Sequence, residues 1–113
     1  MEEKYILAYD PRGLPVEFWE ERWNWIKLKH ADLEPAGVTE NHLKNAIENP
    51  ADGCIYSSKK YDECDIYYLR FSNYIQIQVV IRYIDNIGEI VTAHFRKKRS
   101  KGEEIRWMKG KNG

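Results

Sequence analysis

Thr92, His94 and Arg96 sit two residues apart and carry the clearest chemistry in the sequence. In an extended strand, residues so spaced share one face, so a hydroxyl, an imidazole and a guanidinium would point the same way. Imidazole titrates near neutrality and serves as general base or acid, while Arg can fork onto a phosphate. The three together suit cleavage of a phosphodiester without a metal. His30 ends a helical stripe, where it either caps and packs or reaches the sheet edge as a second acid/base. A working histidine pair predicts a phosphate between the two rings. It also predicts a His94 pKa lowered by Arg96 and burial, and a His30 pKa raised by the helix C-terminus. His42 falls in the first turn of a second helix, where a solvated role is expected.

The same alternation sorts the neighbouring strands. Ile75, Ile77, Val79, Ile81 and Tyr83, with Val91, Ala93 and Phe95 and with Tyr67, Leu69 and Phe71, form an apolar face. The other face carries Tyr68 and Arg70, then Gln76, Gln78 and Arg82, then Thr92, His94 and Arg96. Antiparallel sheets often leave one face to water. Gln, Arg, His and Tyr, in place of Lys, Glu and Thr, suit a ligand surface, with Arg for phosphate and Tyr for stacking on a base. The run Arg96-Lys97-Lys98-Arg99, with Lys101, adds a polyanion-binding segment. The RNA-binding candidates are therefore Arg82, Arg70, Tyr68, Gln78, Lys97 and Lys98.

The elements that must position these groups can be read from periodicity. Lys4 to Tyr9 reads as a short edge strand, closed by the turn Asp10-Pro11-Arg12-Gly13. Pro15 suits the opening of a helix, and Glu17, Glu20 and Glu21 complement its dipole. Val16, Trp19, Trp23, Ile26 and His30 recur at helical spacing, and Pro35 blocks continuation. Trp19, Trp23 and Trp25 read as packing residues. Thr39 is placed as the N-cap of a second helix, with Val38 and Leu43 as a hydrophobic staple, and Asn49-Pro50 ends it. From Cys54 onward the period changes to two. Strands are expected at Cys54–Ser57, Asp65–Phe71, Tyr74–Ile84 and Glu89–Lys98, the last three as an antiparallel meander. The expected fold class is α+β, with two N-terminal helices packed on one face of an antiparallel sheet of about four strands. Residues 1–113 form one domain, with a basic tail from about residue 99 and Trp107 as its anchor.

Composition bounds the function. With 113 residues, 42% hydrophobic and 13% aromatic, the chain can build one core. Basic and acidic residues balance at 18 each, but unevenly along the chain. Residues 1–66 hold 14 acids and 8 bases, and residues 67–113 hold 10 bases and 4 acids, which places an anion-attracting surface in the second half. No stretch approaches the roughly 18–20 apolar residues that cross a bilayer. The Met-Glu-Glu-Lys start carries no secretory signal pattern. Cys54 and Cys64 lack zinc-ligand spacing and suit thiols of a reducing cytosol. No Gly-rich phosphate loop is present, and neither a metal nor another cofactor is expected.

Trp25-Ile26-Lys27-Leu28-Lys29-His30, then Val38 to Pro50, then Ile90-Val91-Thr92-Ala93-His94-Phe95, resemble the barnase–EndoU–colicin–RelE group of small nucleases, in particular its phage and mobile-element branch. The resemblance spans about residues 16–98. It implies N-terminal helices on a four-stranded antiparallel sheet and RNA cleavage without metal. His30, Thr92 and His94 match positions that carry chemistry, and Arg96 and Arg82 match phosphate contacts. A free-standing chain of this kind suits a toxin held in check by an acidic antitoxin or inhibitor protein.

The expected function is a cytoplasmic, metal-independent ribonuclease acting on RNA such as tRNA or mRNA. One of His30 and His94 would take the 2′-hydroxyl proton, and the other would protonate the leaving oxygen. The alternative is a non-catalytic module that binds nucleic acid or protein on the same fold.

Overall fold

The computed structural model describes residues 3–61 and 63–110. Among these residues it contains one seven-stranded mixed sheet, two α-helices and a short 3-10 turn at Ala51–Gly53. The strands are β1 (Tyr5–Tyr9), β2 (Pro15–Phe18), β3 (Cys54–Ser57), β4 (Cys64–Arg70), β5 (Gln76–Ile84), β6 (Ile87–Arg96) and β7 (Glu104–Met108). The helices are α1 (Glu20–Lys29) and α2 (Glu40–Glu48). The order across the sheet is β1-β2-β6-β5-β4-β3-β7, with β2 parallel to β6 and the remaining neighbours antiparallel. This corrects the expected sheet of about four antiparallel strands. The helices also follow a β-hairpin instead of opening the fold.

Two segments account for the difference. Pro15–Phe18 is strand where a helix start is expected. Val16 and Phe18 are buried and Pro15 and Glu17 are half-buried, a period of two that the helical stripe masks. Asp10 fixes the preceding turn, accepting backbone N–H bonds from Arg12 (2.9 Å) and Leu14 (3.0 Å) on Oδ1. The turned chain pairs β2 with β1 and docks it beside Gly88 and Glu89 of β6. A Cβ at Gly88 would lie 2.7 Å from the Tyr83 ring and 2.9 Å from Ile81, so this junction needs glycine.

The second segment is the supposed basic tail. It leaves β6 after Arg96, crosses the sheet through residues 97–103, and pairs as β7 with β3 at the far edge. It is a strap ending in an edge strand, with Trp107 half-buried against the helix-side core. The last three residues of the expected tail lie outside the described residues.

Trp23 and Ile26 of α1 and Leu43, Ala46 and Ile47 of α2 pack on Ile55, Tyr67, Ile77, Val79, Ile81, Ile90 and Ala93. Asp85 and Asn86 both have positive φ (53° and 66°) in the two-residue turn joining β5 and β6, the backbone of a type I′ hairpin. The β5–β6 register shifts between Val80 and Ile81. This bulge corrects the face expected for Val91: Ile90 enters the helix-side core and Val91 packs with the opposite cluster. His42 has a structural task instead of the expected solvated one. Its Nδ1 accepts the Thr39 N–H at 3.0 Å, and its ring meets Phe71 edge-on.

The face expected to be open is largely covered. Cys54, Tyr56, Cys64, Ile66, Tyr68 and Val80 form a second apolar cluster there. The strap lies over it, with the Ser100 N–H donating to the Tyr68 hydroxyl (3.3 Å) and the Arg99 guanidinium 4.2 Å above the Tyr56 ring.

Candidate active site

His30 and His94 meet. Their ring centroids are 5.0 Å apart in an edge-to-face contact, and Thr92 Oγ1 lies 3.2 Å from His30 Nε2. The fold brings Thr92 and His30 together across 62 residues of chain. β6 presents Thr92 and His94 on its second face, while α1 delivers His30 from its C-terminus, after its Trp23 and Ile26 are anchored in the core. At this separation the rings pack against one another. This leaves no room for a phosphate between them as expected.

Gln78 sets the tautomer of His94. It is opposite His94 in the register and only 1% exposed, so its amide must find partners within the protein. Its Nε2 donates to the Tyr68 hydroxyl (2.8 Å) and to Glu103 Oε2 (3.2 Å). Its Oε1 is thereby turned to His94, with which it makes a short hydrogen bond. The His94 Nε2 therefore carries the proton, and Nδ1 keeps its lone pair. Tyr68 donates to Glu103 Oε2 at 2.6 Å. Burial, then Glu103, pushes the Tyr68 phenol up to about 12, so it remains a donor. Glu103 Oε1 is buried with no hydrogen-bond partner among the described residues.

Burial lowers the pKa of both imidazoles. His94 is pushed down to about 4 by burial first, then by His30, Arg96 and Lys60, with Asp32 opposing. His30 is also lowered, by burial before Asp32 and Lys29 act in opposite directions. This corrects the expected rise of His30: burial is the largest influence on it and lowers its pKa. The cations that disfavour imidazolium also make the surroundings attractive to an anion.

The predicted residues divide by position. His30 and Thr92 share one hydrogen bond, His94, Gln78 and Tyr68 share two more, and the contact of the two imidazole rings joins these sets into one group. Arg96 is the next residue of β6 on this face, half-exposed opposite Gln76. Lys97 and Lys98 are exposed at the start of the strap, and Arg70 is exposed at the end of β4. Arg82 is not part of the group. It lies four residues along β5 from Gln78, about 14 Å away at strand rise, opposite Cys64 and Glu89. Its expected phosphate contact at the histidines is withdrawn.

Sequence reasoning missed Ser100, Glu103 and Lys60 here. Among these, only Glu103 gave a signal, an acid just beyond the basic run. It also missed the polar cluster on the helix side. There Asp10 Oδ2 accepts from Arg12 (2.7 Å), Tyr67 (2.9 Å) and Tyr83 (3.1 Å), and Asp65 is held by Arg12 (2.6 Å) and Arg106 (2.5 Å). The available signal was two tyrosines, Tyr67 and Tyr83, assigned to an apolar face, where buried hydroxyls need partners. Among the described residues no three His, Cys, Asp or Glu side chains gather as a metal site would require, and no helix is long and apolar enough to cross a membrane. Comparisons with protein-family models, curated proteins and solved structures find no match.

Proposed function

We propose that the protein cleaves RNA by attack of a 2′-hydroxyl on the adjacent phosphate, with His30 and His94 as the acid–base pair. The observation that carries this reading is the 5.0 Å contact of the two rings beside Thr92 and Arg96. His94, with its pKa lowered to about 4, takes the 2′-hydroxyl proton on its Nδ1 as the 2′-oxygen bonds to phosphorus. The bond from phosphorus to the 5′-oxygen breaks, and protonated His30 gives its proton to that oxygen. With Nε2 of His30 on Thr92, the Nδ1 proton is the one to transfer. The products are a 2′,3′-cyclic phosphate and a 5′-hydroxyl. Arg96 faces the developing phosphorane charge, where a preorganised cation is most effective.

Exposed Lys97, Lys98, Arg99 and Lys101 supply the approach for RNA, and the same surface fits an acidic inhibitor protein such as an antitoxin. The family resemblance and a cytoplasmic setting, suited to the thiols of Cys54 and Cys64, belong to the same proposal.

Purified protein incubated with total RNA in EDTA tests it. Cleavage should leave cyclic phosphate ends, spare RNA with a 2′-deoxy position at the scissile site, and fall about 10²- to 10⁴-fold in His94→Ala. Absence of cleavage between about pH 4 and 8, with salt-sensitive binding retained, overturns catalysis in favour of a binding module.

A further inference from the structure

A groove of about 310 Å³ opens on the same sheet face as the histidines, lined by Asp52, Tyr56, Tyr68, Gln76 and Arg99. From its lining and position, we infer that it is a nucleobase subsite, holding the base of a nucleotide next to the cleaved phosphate. This inference rests on the proposed RNA reading.

Hydrogen bonds through Gln78 and the strand register tie the groove to the candidate active site. The Tyr68 hydroxyl on one wall accepts from Gln78, which in turn holds His94. Tyr68 and His94 flank Gln78 on neighbouring strands, so they stand about 10 Å apart at two strand spacings. Gln76 on another wall pairs across the sheet with Arg96. An RNA strand lying over His30 and His94 would meet Arg96 next and could turn a base into the groove.

The walls match a base in two ways. Tyr56 is 5% exposed and held by its surroundings, and the Arg99 guanidinium stacks 4.2 Å above it. The exposed outer plane of Arg99 is a surface on which a base stacks, a recurrent mode for unpaired RNA. The edge of that base would meet Gln76, which can donate and accept, and Asp52, whose carboxylate only accepts. An acceptor-only group favours bases with an exocyclic amino group. Adenine, guanine and cytosine should therefore be preferred over uracil. The volume lies at the small end of ligand pockets, suited to one nucleoside. Folded RNA would not fit.

Binding of uncleavable deoxytetranucleotides of each base to the full chain, followed by fluorescence anisotropy, tests this apart from catalysis. Arg99→Ala and Gln76→Ala, both at solvent-accessible positions, should weaken binding of the adenine, guanine and cytosine oligomers by about tenfold each. Asp52→Asn should bring those oligomers to within about twofold of the uracil one. Uracil bound as tightly as the others by the unaltered protein, or Arg99→Ala without effect, overturns the subsite. RNA cleavage by the unaltered protein is followed in parallel. Base-selective, Arg99-dependent binding without cleavage leaves the subsite standing and removes the catalytic reading, and cleavage with no Arg99 dependence does the reverse.

Discussion

The two polar clusters of this protein lie on opposite faces of one sheet and handle charge in opposite ways. On the helix side, Asp10 and Asp65 face Arg12 and Arg106, and the Tyr67 and Tyr83 hydroxyls fill remaining acceptor positions on Asp10. Charge is fully buried only where counter-charges and donors meet it, and this cluster meets that demand. On the strap side, two imidazoles are pressed together with their pKa values lowered, and one carboxylate oxygen of Glu103 has no hydrogen-bond partner among the described residues. The first cluster ties a hairpin to the sheet. The second holds titratable groups away from their ordinary state, as sites that do chemistry do.

Breaking the saturated cluster should have the largest effect on stability. Asp10→Ala removes a carboxylate whose side chain is wholly buried, stranding Arg12 and two tyrosine hydroxyls. It should cost about 3–5 kcal/mol in urea denaturation. A loss below about 1 kcal/mol would mean that the network is not a structural tie.

The unsaturated cluster should show itself through pH. The unfolded chain protonates His94 near 6.5, whereas the folded protein resists until about 4. The unfolded state therefore binds the extra proton first, and stability should decline as pH falls from about 6.5 towards 4. His94→Ala should flatten that slope. If cleavage uses His94 as base and His30 as acid, activity rises as His94 loses its proton near pH 4. It falls again above the His30 pKa, which lies below 6.5. The rate should peak on the acid side of neutrality, and an optimum above pH 7 would reverse the two roles.

The smallest effect is expected at Glu103. Glu103→Gln keeps an oxygen for Tyr68 and Gln78 and gives up a charge that has a partner on only one oxygen. Stability should change by no more than about 1 kcal/mol. The Tyr68 phenol, held up to about 12 in part by Glu103, should titrate lower in an ultraviolet phenolate titration. An unmoved titration would place Glu103 outside the network.

Much of this site was legible because strand alternation needs only local sequence. Thr92, His94 and Gln78 fall on one face in any regular pairing of β5 and β6, and the helical spacing of Trp23, Ile26 and His30 aims α1 at that edge. The rest depends on contacts between distant segments. Pro15–Phe18 fits helix and strand patterns equally until a partner strand is known, and β2 finds its partner in β6 at Gly88. The bulge that turns Val91 over is a register choice without a side-chain signature. The strap is the clearest case: Arg96 to Lys101 reads as solvated by composition. Its course is fixed by the pairing of β7 with β3 and by Tyr68, Gln78 and Glu103, far apart in sequence.

The order of strands also bears on how the molecule comes together in time. The meander of β4, β5 and β6 closes through short turns and can form early. Thr92 must wait for His30 across 62 residues, and Ser57 for Glu104 across 47. Such distant closures carry the entropy cost that slows folding towards the millisecond-to-second range. Until the strap crosses, Gln78 lacks Ser100 and Glu103, and its amide is not held in the orientation that fixes the proton on His94. A chain in which the strap has not crossed therefore carries the same histidines without the contacts that fix the proton on His94.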